Sequence, residues 1–353
     1  MHTTTTFPIH RTGKSRLAGL DVNNLPFGTT PTDHLFIARY TGGEWAEARI
    51  EPFHELTLSP FALCFHYGQT VFEGMKAFRM ENDKISIFRL NKHHERFNRS
   101  LQRMAMPEVP YELFKEGMRQ LIALDRQWLP SGKDSALYVR PFVIATEERL
   151  KVKVSDEYLF LIVCTPVGPY YSQPLLVKVE TEFIRAADGG VGYAKCGGNY
   201  GGALLPTQRA IEAGYDQVLW TDAQNREFIE ESGTMNVLFL IDDILITPAR
   251  SSTILDGVTR DSILQIARRL GLKVQERKIS VRELETALQS DIRVEAFGAG
   301  TAAVVAPIES ITFGKETYPC YVKEDAVMFA FKAELQAIRT GKVEDVWGWN
   351  EVV

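Results

Sequence analysis

Residues 189–202 read GGVGYAKCGGNYGG, a stretch with seven glycines, one lysine (Lys195) and two tyrosines (Tyr193 and Tyr200). Glycine is entropically costly to order, and lysine prefers solvated faces. A lysine among glycines implies a backbone shaped to bring an amine close to something bulky. Two readings follow. One is a surface loop with an incidental lysine; the other is an amine that forms a Schiff base with a carbonyl cofactor. The window alone reads as the loop, and the rest of the chain decides.

Composition removes several function classes. A length of 353 residues suggests about two domains. Forty basic against 45 acidic residues give a net charge of −5, and no basic tract interleaves with aromatics, so nucleic acid is not an expected partner. The N-terminus, MHTTTTFPIHRTGKSRL, has no apolar signal core. The densest apolar run, Tyr158 to Val163, is too short to span a membrane and reads as a buried strand. The expected location is the cytoplasm, with no membrane partner. Cys64, Cys164, Cys196 and Cys320 are scattered without a CxxC, against a structural zinc site and a disulfide framework, and no metal is expected. All seven histidines lie at or before His94, which excludes a Ser-His or Cys-His pair confined to the C-terminal three-quarters. His93 and His94 read as surface or capping residues of a helix.

Taken in order, residues 1–32 read as an arm that is ordered only where it packs on something. A first domain is expected over 33–164, an interdomain loop over 165–175 (TPVGPYYSQP at its centre), and a second domain over 176–353. In FALCFHYGQTVFEGMKAF, residues 61–78, Gly68 and Gly74 break apolar runs and mark bulges or close backbone approach. Some of the aromatics there are core; Tyr67 and Phe72 are candidate pocket walls. Asn91 is expected to cap a helix through KHHERFNRSLQRM, with Phe97, Leu101 and Met104 on one face. Its arginines ordinarily make a solvated face; Arg96, beside Phe97, is the candidate for a phosphate. ALYVRPFVIA and EYLFLIVCTPV read as central strands, and Arg140 interrupts the first, so it faces a partner or a site. Later, DQVLWTD and NREFIEE pair as strands. In LDGVTRDSILQIARRLG a helix starts near Thr259, so the amides of Val258 and Thr259 form an anion site. A glycine turn spans Gly298 to Thr301.

YGQTVFEGMKAF, the Arg96 helix, AKCGGNYGG, EESGTMN, LDGVTR and GAGTAAVVAP, in this order between about Phe61 and Pro307, resemble the branched-chain amino acid aminotransferases, enzymes of pyridoxal-phosphate fold type IV. The resemblance implies an α/β (α+β) fold: a small N-terminal α/β domain, and a larger C-terminal domain with a β-barrel-like core, the cofactor lying between them. It implies pyridoxal 5′-phosphate (PLP) bound through Lys195, which also moves the substrate's α-proton. Tyr200 matches the tyrosine on the cofactor's phenolic oxygen, and Glu231 the carboxylate that keeps the pyridine nitrogen protonated. Glu230, its neighbour, reads as an exposed strand-end acid. Arg96, Val258, Thr259 and Thr301 match phosphate contacts, and Thr234 and Leu255 match residues packed around the ring. Tyr67, Phe72, Lys76, Tyr138, Arg140 and Tyr170 fall on substrate-pocket positions. Thr301 and Ala302 lie where the substrate carboxylate is received. Leu150 and Val152 match loop residues donated to a neighbouring subunit, so a homodimer is implied.

Implied with the family is a ping-pong exchange of amino groups between Leu, Ile or Val and 2-oxoglutarate, giving branched-chain 2-oxo acids and glutamate. An apolar pocket with a polar rim from Arg140 and Tyr67 suits both partners. Some family members carry a CxxC after GTA; here those places are Ala303 and Ala306, so thiol regulation at that turn is not expected. Two alternatives remain at this stage. One is a relative of the same fold, a D-amino-acid aminotransferase or aminodeoxychorismate lyase. The other is a non-catalytic protein cradling a nucleotide phosphate at 255–260.

Overall fold

Near-continuous burial along the two longest strands of the N-terminal half sets its architecture. The computed structural model describes residues 5–23, 25–132 and 134–353. Two compact units emerge: unit 1 is Met1–Tyr170, Ala194–Gly198 and Ala337–Val353, and unit 2 is Tyr171–Tyr193 and Asn199–Gln336. Unit 1 thus gathers more chain than the domain expected over 33–164, because the arm and the last 17 residues pack with it. The chain first passes from one unit to the other inside the stretch 165–175.

Unit 1 is built on an antiparallel sheet. Its strands are β1 (His34–Thr41), β2 (Glu44–Pro52), β3 (Thr70–Phe72), β4 (Met75–Arg79), β5 (Ile85–Phe88), β6 (Ala136–Ala145) and β7 (Tyr158–Val167). The order is β5-β4-β6-β7-β1-β2, with β3 also on β6, and the C-terminal strand Asn350–Val352 closes the β5 edge. On β7 the period of two sends Phe160 towards Phe36, Phe97 and Phe114, while Leu159 and Leu161 join Leu35 and Ile37 in a second cluster. Both faces are therefore apolar, as a central strand requires. The short helix α1 (Leu63–Tyr67) is followed by α2 (Leu90–Arg103) and α3 (Tyr111–Leu124), whose Phe97 and Phe114 supply the helical side of this core. Gly117 of α3 lets that helix close on the sheet, since a Cβ there would lie 3.0 Å from the Phe36 ring.

Two expectations for α2 are corrected. The helix starts at Leu90 on an Arg89 N-cap in the left-handed region, without side-chain capping. Asn91 is therefore already inside the first turn, and its Oδ1 accepts from the Tyr111 hydroxyl. His93 is 2% exposed rather than on the surface, because it sits on the same helix face as Arg96 and Phe97. The arm does pack: Ile9 bridges to Ile50, Phe7 lies against Phe36, and Ser15 and the Arg16 amide donate to Asp33.

Unit 2 contains β8 (Leu175–Val179), β9 (Gln217–Thr221), β10 (Ile229–Ser232), β11 (Met235–Ile241), β12 (Ile244–Thr247), β13 (Lys273–Glu276), β14 (Val294–Gly300), β15 (Val304–Phe313) and β16 (Glu316–Pro319). Pairing runs β10-β9-β8-β15-β14-β11 and returns to β10, so six strands close a barrel, as expected from the resemblance. Closure removes the edges of those strands and leaves an interior for alternate side chains. Val177, Leu219, Val237, Phe239, Ala296 and Ile308 are among those that fill it. Helices α4 (Gly198–Glu212), α5 (Val258–Arg269), α6 (Val281–Gln289) and α7 (Val327–Arg339) complete the chain. Ser280 caps α6 by accepting from the Glu283 amide at 2.9 Å. Among the described residues no helix is long and apolar enough to cross a membrane.

Candidate active site

In unit 1 the lysine segment is laid onto β3 as an extra piece of sheet. Val71 bridges Cys196, the Phe72 amide donates to the Lys195 carbonyl at 3.0 Å, and the Gly197 amide donates to the Thr70 carbonyl at 3.1 Å. Gly197 is required by contact, since a Cβ there would sit 2.3 Å from Thr70 Oγ1. On its other side the Lys195 amide donates to Ser100 Oγ at 2.9 Å, so α2 and β3 both fix the lysine backbone. The side chain is half-buried, with Nζ 4.8 Å from the centre of the Phe72 ring. Lys195 is therefore held by backbone pairing, unlike a lysine on a free surface loop.

Phe72 also carries Arg140, whose guanidinium carbon lies 4.7 Å from the ring centre. Arg140 Nη2 donates to the Tyr138 hydroxyl at 3.1 Å, and that hydroxyl occupies the space of a Cβ at Gly74, 2.0 Å away. The close approach expected at Gly74 is thus made by Tyr138. Lys76, directly across the β4–β6 ladder from Tyr138, is buried. Tyr138 and Tyr170 are joined by Phe27 of the arm, edge-on to both at 5.2 and 4.8 Å between centres. The sequence reading had no signal for Phe27, because its partners lie more than 100 residues away. Tyr67 is exposed, and its hydroxyl donates to the Leu150 carbonyl at 2.9 Å; Leu150 and Val152 are exposed as well.

Arg96 is buried beside Glu73, donating from Nε at 2.8 Å and from Nη2 at 2.5 Å in a two-pronged pair. Burial alone would raise the Glu73 carboxyl; the Arg96 guanidinium and neighbouring His93 more than reverse this and hold it far below the usual carboxylate range. Burial pushes the His93 imidazole down, against the pull of Glu73. Glu73 was not singled out in the sequence; only its place in FEG hinted at a role.

In unit 2, Glu231 stands across from Asn236 on the β10–β11 ladder. Its Oε1 accepts from Asn236 Nδ2 at 2.9 Å and from the Leu255 amide at 3.1 Å, and its Oε2 lies 2.7 Å from Arg185 Nε. Asn236 also donates to the Leu255 carbonyl at 2.9 Å, which ties the strand to the turn before α5. That turn ends in Gly257, where a Cβ would lie 1.8 Å from Asn236 Oδ1; only glycine fits. Val258 and Thr259 follow in the first turn of α5, buried, with amides that helix geometry leaves without intrahelical acceptors. Thr234 is exposed in the β10–β11 turn, Tyr200 is half-buried in the first turn of α4, and Thr301 and Ala302 are half-buried in the β14–β15 turn. Glu230 is buried rather than strand-end and exposed.

The donor set fits PLP. In unit 2 a carboxylate oriented by Asn236 and the Leu255 amide and charge-paired with Arg185 suits a pyridinium N–H, and a helix N-terminus suits a phosphate; in unit 1 a lysine with a fixed backbone suits an aldehyde. Gly257 leaves room for the Asn236 amide, which a side chain there would displace.

Comparisons agree with this chemistry. A family model described as amino-transferase class IV matches residues 70–311. Branched-chain-amino-acid transaminase 1 of Bacillus subtilis (strain 168) is 45% identical over 339 residues, covering 94% of each chain. The crystal structure of the Escherichia coli branched-chain amino acid aminotransferase aligns with a TM-score of 0.73 and 25% identity, over 90% of this chain and 98% of that one. The branched-chain amino acid aminotransferase of Thermobaculum terrenum, solved in its PLP form, has the same fold: TM-score 0.73 at 22% identity, over 90% of this chain and 97% of that one.

Proposed function

The chain belongs to the class IV aminotransferase family, and we propose that it exchanges amino groups between branched-chain L-amino acids and 2-oxoglutarate with PLP as cofactor. The carrying observation is the Glu231 carboxylate, ion-paired at 2.7 Å and bonded to Asn236 and Leu255 on a strand of the barrel. A negative charge so fixed has one chemical use in this family's reaction, to keep a ring nitrogen protonated. The cofactor, when bound, supplies an electron sink for the pair left when the substrate loses its α-proton.

Lys195 would hold the cofactor covalently and, once displaced by substrate, carry the α-proton on its Nζ. Its backbone, pinned to Ser100 and Phe72, keeps that amine at a constant height. Arg96 with Val258, Thr259 and Thr301 would bind the phosphate, and Tyr200 would donate to the phenolic oxygen. Thr234 and Leu255 would flank the ring. The Thr301–Ala302 turn would receive the substrate carboxylate. Tyr67, Phe72, Lys76, Tyr138, Tyr170 and the arm residue Phe27 would line the side-chain pocket. Arg140, held over Phe72 and bonded to Tyr138, gives an otherwise aromatic wall one cation for the second carboxylate of glutamate.

A second copy of the chain is the proposed covering for Leu150 and Val152, which stand 55% and 75% exposed. The cytoplasm is the proposed compartment. The relatives of the same fold that act on D-alanine or aminodeoxychorismate are the competing reading, and the 45% identity to a branched-chain transaminase favours the L-specific one. The test is an assay of L-leucine with 2-oxoglutarate beside D-alanine and aminodeoxychorismate, on wild type and Lys195→Ala. Turnover of leucine and a visible absorption band that the variant lacks are expected. Wild-type protein that takes up no PLP after reconstitution would end this reading.

A further inference from the structure

Glu230 has no place in the chemistry above, yet it is buried next to the residue on which that chemistry depends. Between Ile229 and Ser232 the β9–β10 register slips, so that Glu230 and Glu231 of β10 oppose the single residue Trp220 of β9. In a regular strand Glu230 and Glu231 would point to opposite faces. Here both are buried, and both have Arg185 as their nearby cation.

Arg185 is fixed from behind. Its Nη2 donates to the carbonyls of Gly192 and Thr253, at 3.1 Å to Gly192. Gly192 must lack a side chain, since a Cβ would fall 2.9 Å from Thr253 Cα and 2.5 Å from the Ala186 methyl. Thr253 in turn donates its hydroxyl to Glu230 Oε1, with Ser251 Oγ at 2.9 Å from the same hydroxyl. The Arg185 Nε–H does not point at Glu231 although the atoms are only 2.7 Å apart. Charge and the two carbonyls, rather than a directed bond, therefore hold the guanidinium against Glu231. Whatever fixes the Thr253 loop fixes that pair.

Two carboxyls face one guanidinium; Glu231 accepts from Asn236 and the Leu255 amide and pairs in charge with Arg185, while among the described residues Glu230 accepts only from the Thr253 hydroxyl and its Oε2 has no hydrogen-bond partner. The other charges around Glu230 are Asp222 at the end of β9 and Lys278 ahead of α6. We propose that Glu230 is a positioning residue for Glu231: as a neutral acid it anchors Thr253, which sets Arg185 against the Glu231 carboxylate. Burial raises the Glu230 carboxyl, against the Thr253 bond and the Arg185 charge, in the direction the proposal needs. When Glu230 ionises at higher pH, it competes with Glu231 for Arg185. The inference rests on the reading of Glu231 as the partner of the PLP nitrogen.

The test compares Glu230→Gln, a mimic of the neutral acid, with Glu230→Ala and Thr253→Val. Two measurements are made on each: PLP affinity of the apoprotein, and the pH titration of the visible band of the PLP-loaded protein. Glu230→Gln should bind PLP within about twofold of wild type near neutrality, while Glu230→Ala and Thr253→Val bind about tenfold more weakly, as for one lost buried hydrogen bond. Their band should titrate at a shifted pH, and the Gln variant should lack the alkaline change expected of wild type. The apoprotein gives an independent reading. A carboxyl raised by folding destabilises as pH climbs through its folded value, so the wild-type melting temperature should fall in that window and that of Glu230→Gln should not. Gln behaving like Ala, all three binding like wild type, or parallel apoprotein melting curves would each overturn the proposal. Should Ala or Val fail to fold, the Gln comparison still decides. Should wild type bind no PLP, the functional reading falls, and the melting curves still judge the state of Glu230.

Discussion

Glu73→Gln isolates the contribution of the buried pair that holds Arg96 in unit 1. Glu73 is fully buried, and Arg96 forks onto it at 2.8 and 2.5 Å. Glutamine keeps the shape, and its carbonyl can still accept from the Gly74 amide, now 2.7 Å from Glu73 Oε1. What it removes is the negative charge, and stranding a buried cation costs about 3–5 kcal/mol. At about 2–4 °C per kcal/mol for a body of this size, melting of unit 1 should drop by roughly 6–20 °C. Circular dichroism of the apoprotein measures this without cofactor. Adding Arg96→Met removes the stranded charge, and the double variant should recover most of the loss. The pH dependence has a definite sign. Because the Glu73 carboxyl is depressed below its ordinary value of 4.5, the wild-type advantage is fully present above that value. It vanishes only as pH falls through the lower folded value. A single variant that melts within 2 °C of wild type, or a double variant less stable than the single one, would refute the argument.

Gly257→Ala should weaken PLP binding by about tenfold or more, because its Cβ needs the space of Asn236 Oδ1, and overpacking typically costs about 1–3 kcal/mol; a titration of apoprotein with PLP reads it. Arg140→Met should raise the KM for 2-oxoglutarate by about 10- to 100-fold while changing that for leucine much less, the range for losing a hydrogen bond to a charged group. Steady-state kinetics with each substrate varied in turn separate the two. Mild peroxide should leave activity unchanged at the β14–β15 turn, since Ala303 and Ala306 carry no thiol; a reversible loss traced to those positions would contradict this.

Legibility in the sequence followed the range of the interactions. Local signals served well: Gly214 and Gly271 do sit past helix ends with positive φ, and the first turn of α5 begins beside the residue expected. Gly74 announced a close approach without naming Tyr138, which lies 64 residues on. The neighbours Glu230 and Glu231 were separable only by resemblance, since the register slip that buries both is a property of strand pairing. Arg185 looked like any loop arginine, because its partner Glu231 is 46 residues away and one of its two carbonyl acceptors, Thr253, is further still. Phe27 was invisible for the same reason. Asn91 misled because capping chemistry was present two residues too late; the left-handed Arg89 starts the helix instead.

The strand Asn350–Val352 pairs with β5 through Phe88, Ile87 and Ser86, and the Val353 amide reaches the Ile85 carbonyl. During synthesis β5 therefore waits for some 260 residues before its neighbour leaves the ribosome. Until then its edge is open to other chains, a hazard that the barrel strands of unit 2 escape by closing on one another. Emergence of residues 350–352, rather than completion of the first 170 residues, is the event that covers the β5 edge. A peptide matching 345–353, supplied to a chain truncated after Thr340, is accordingly expected to bind along the open β5 edge.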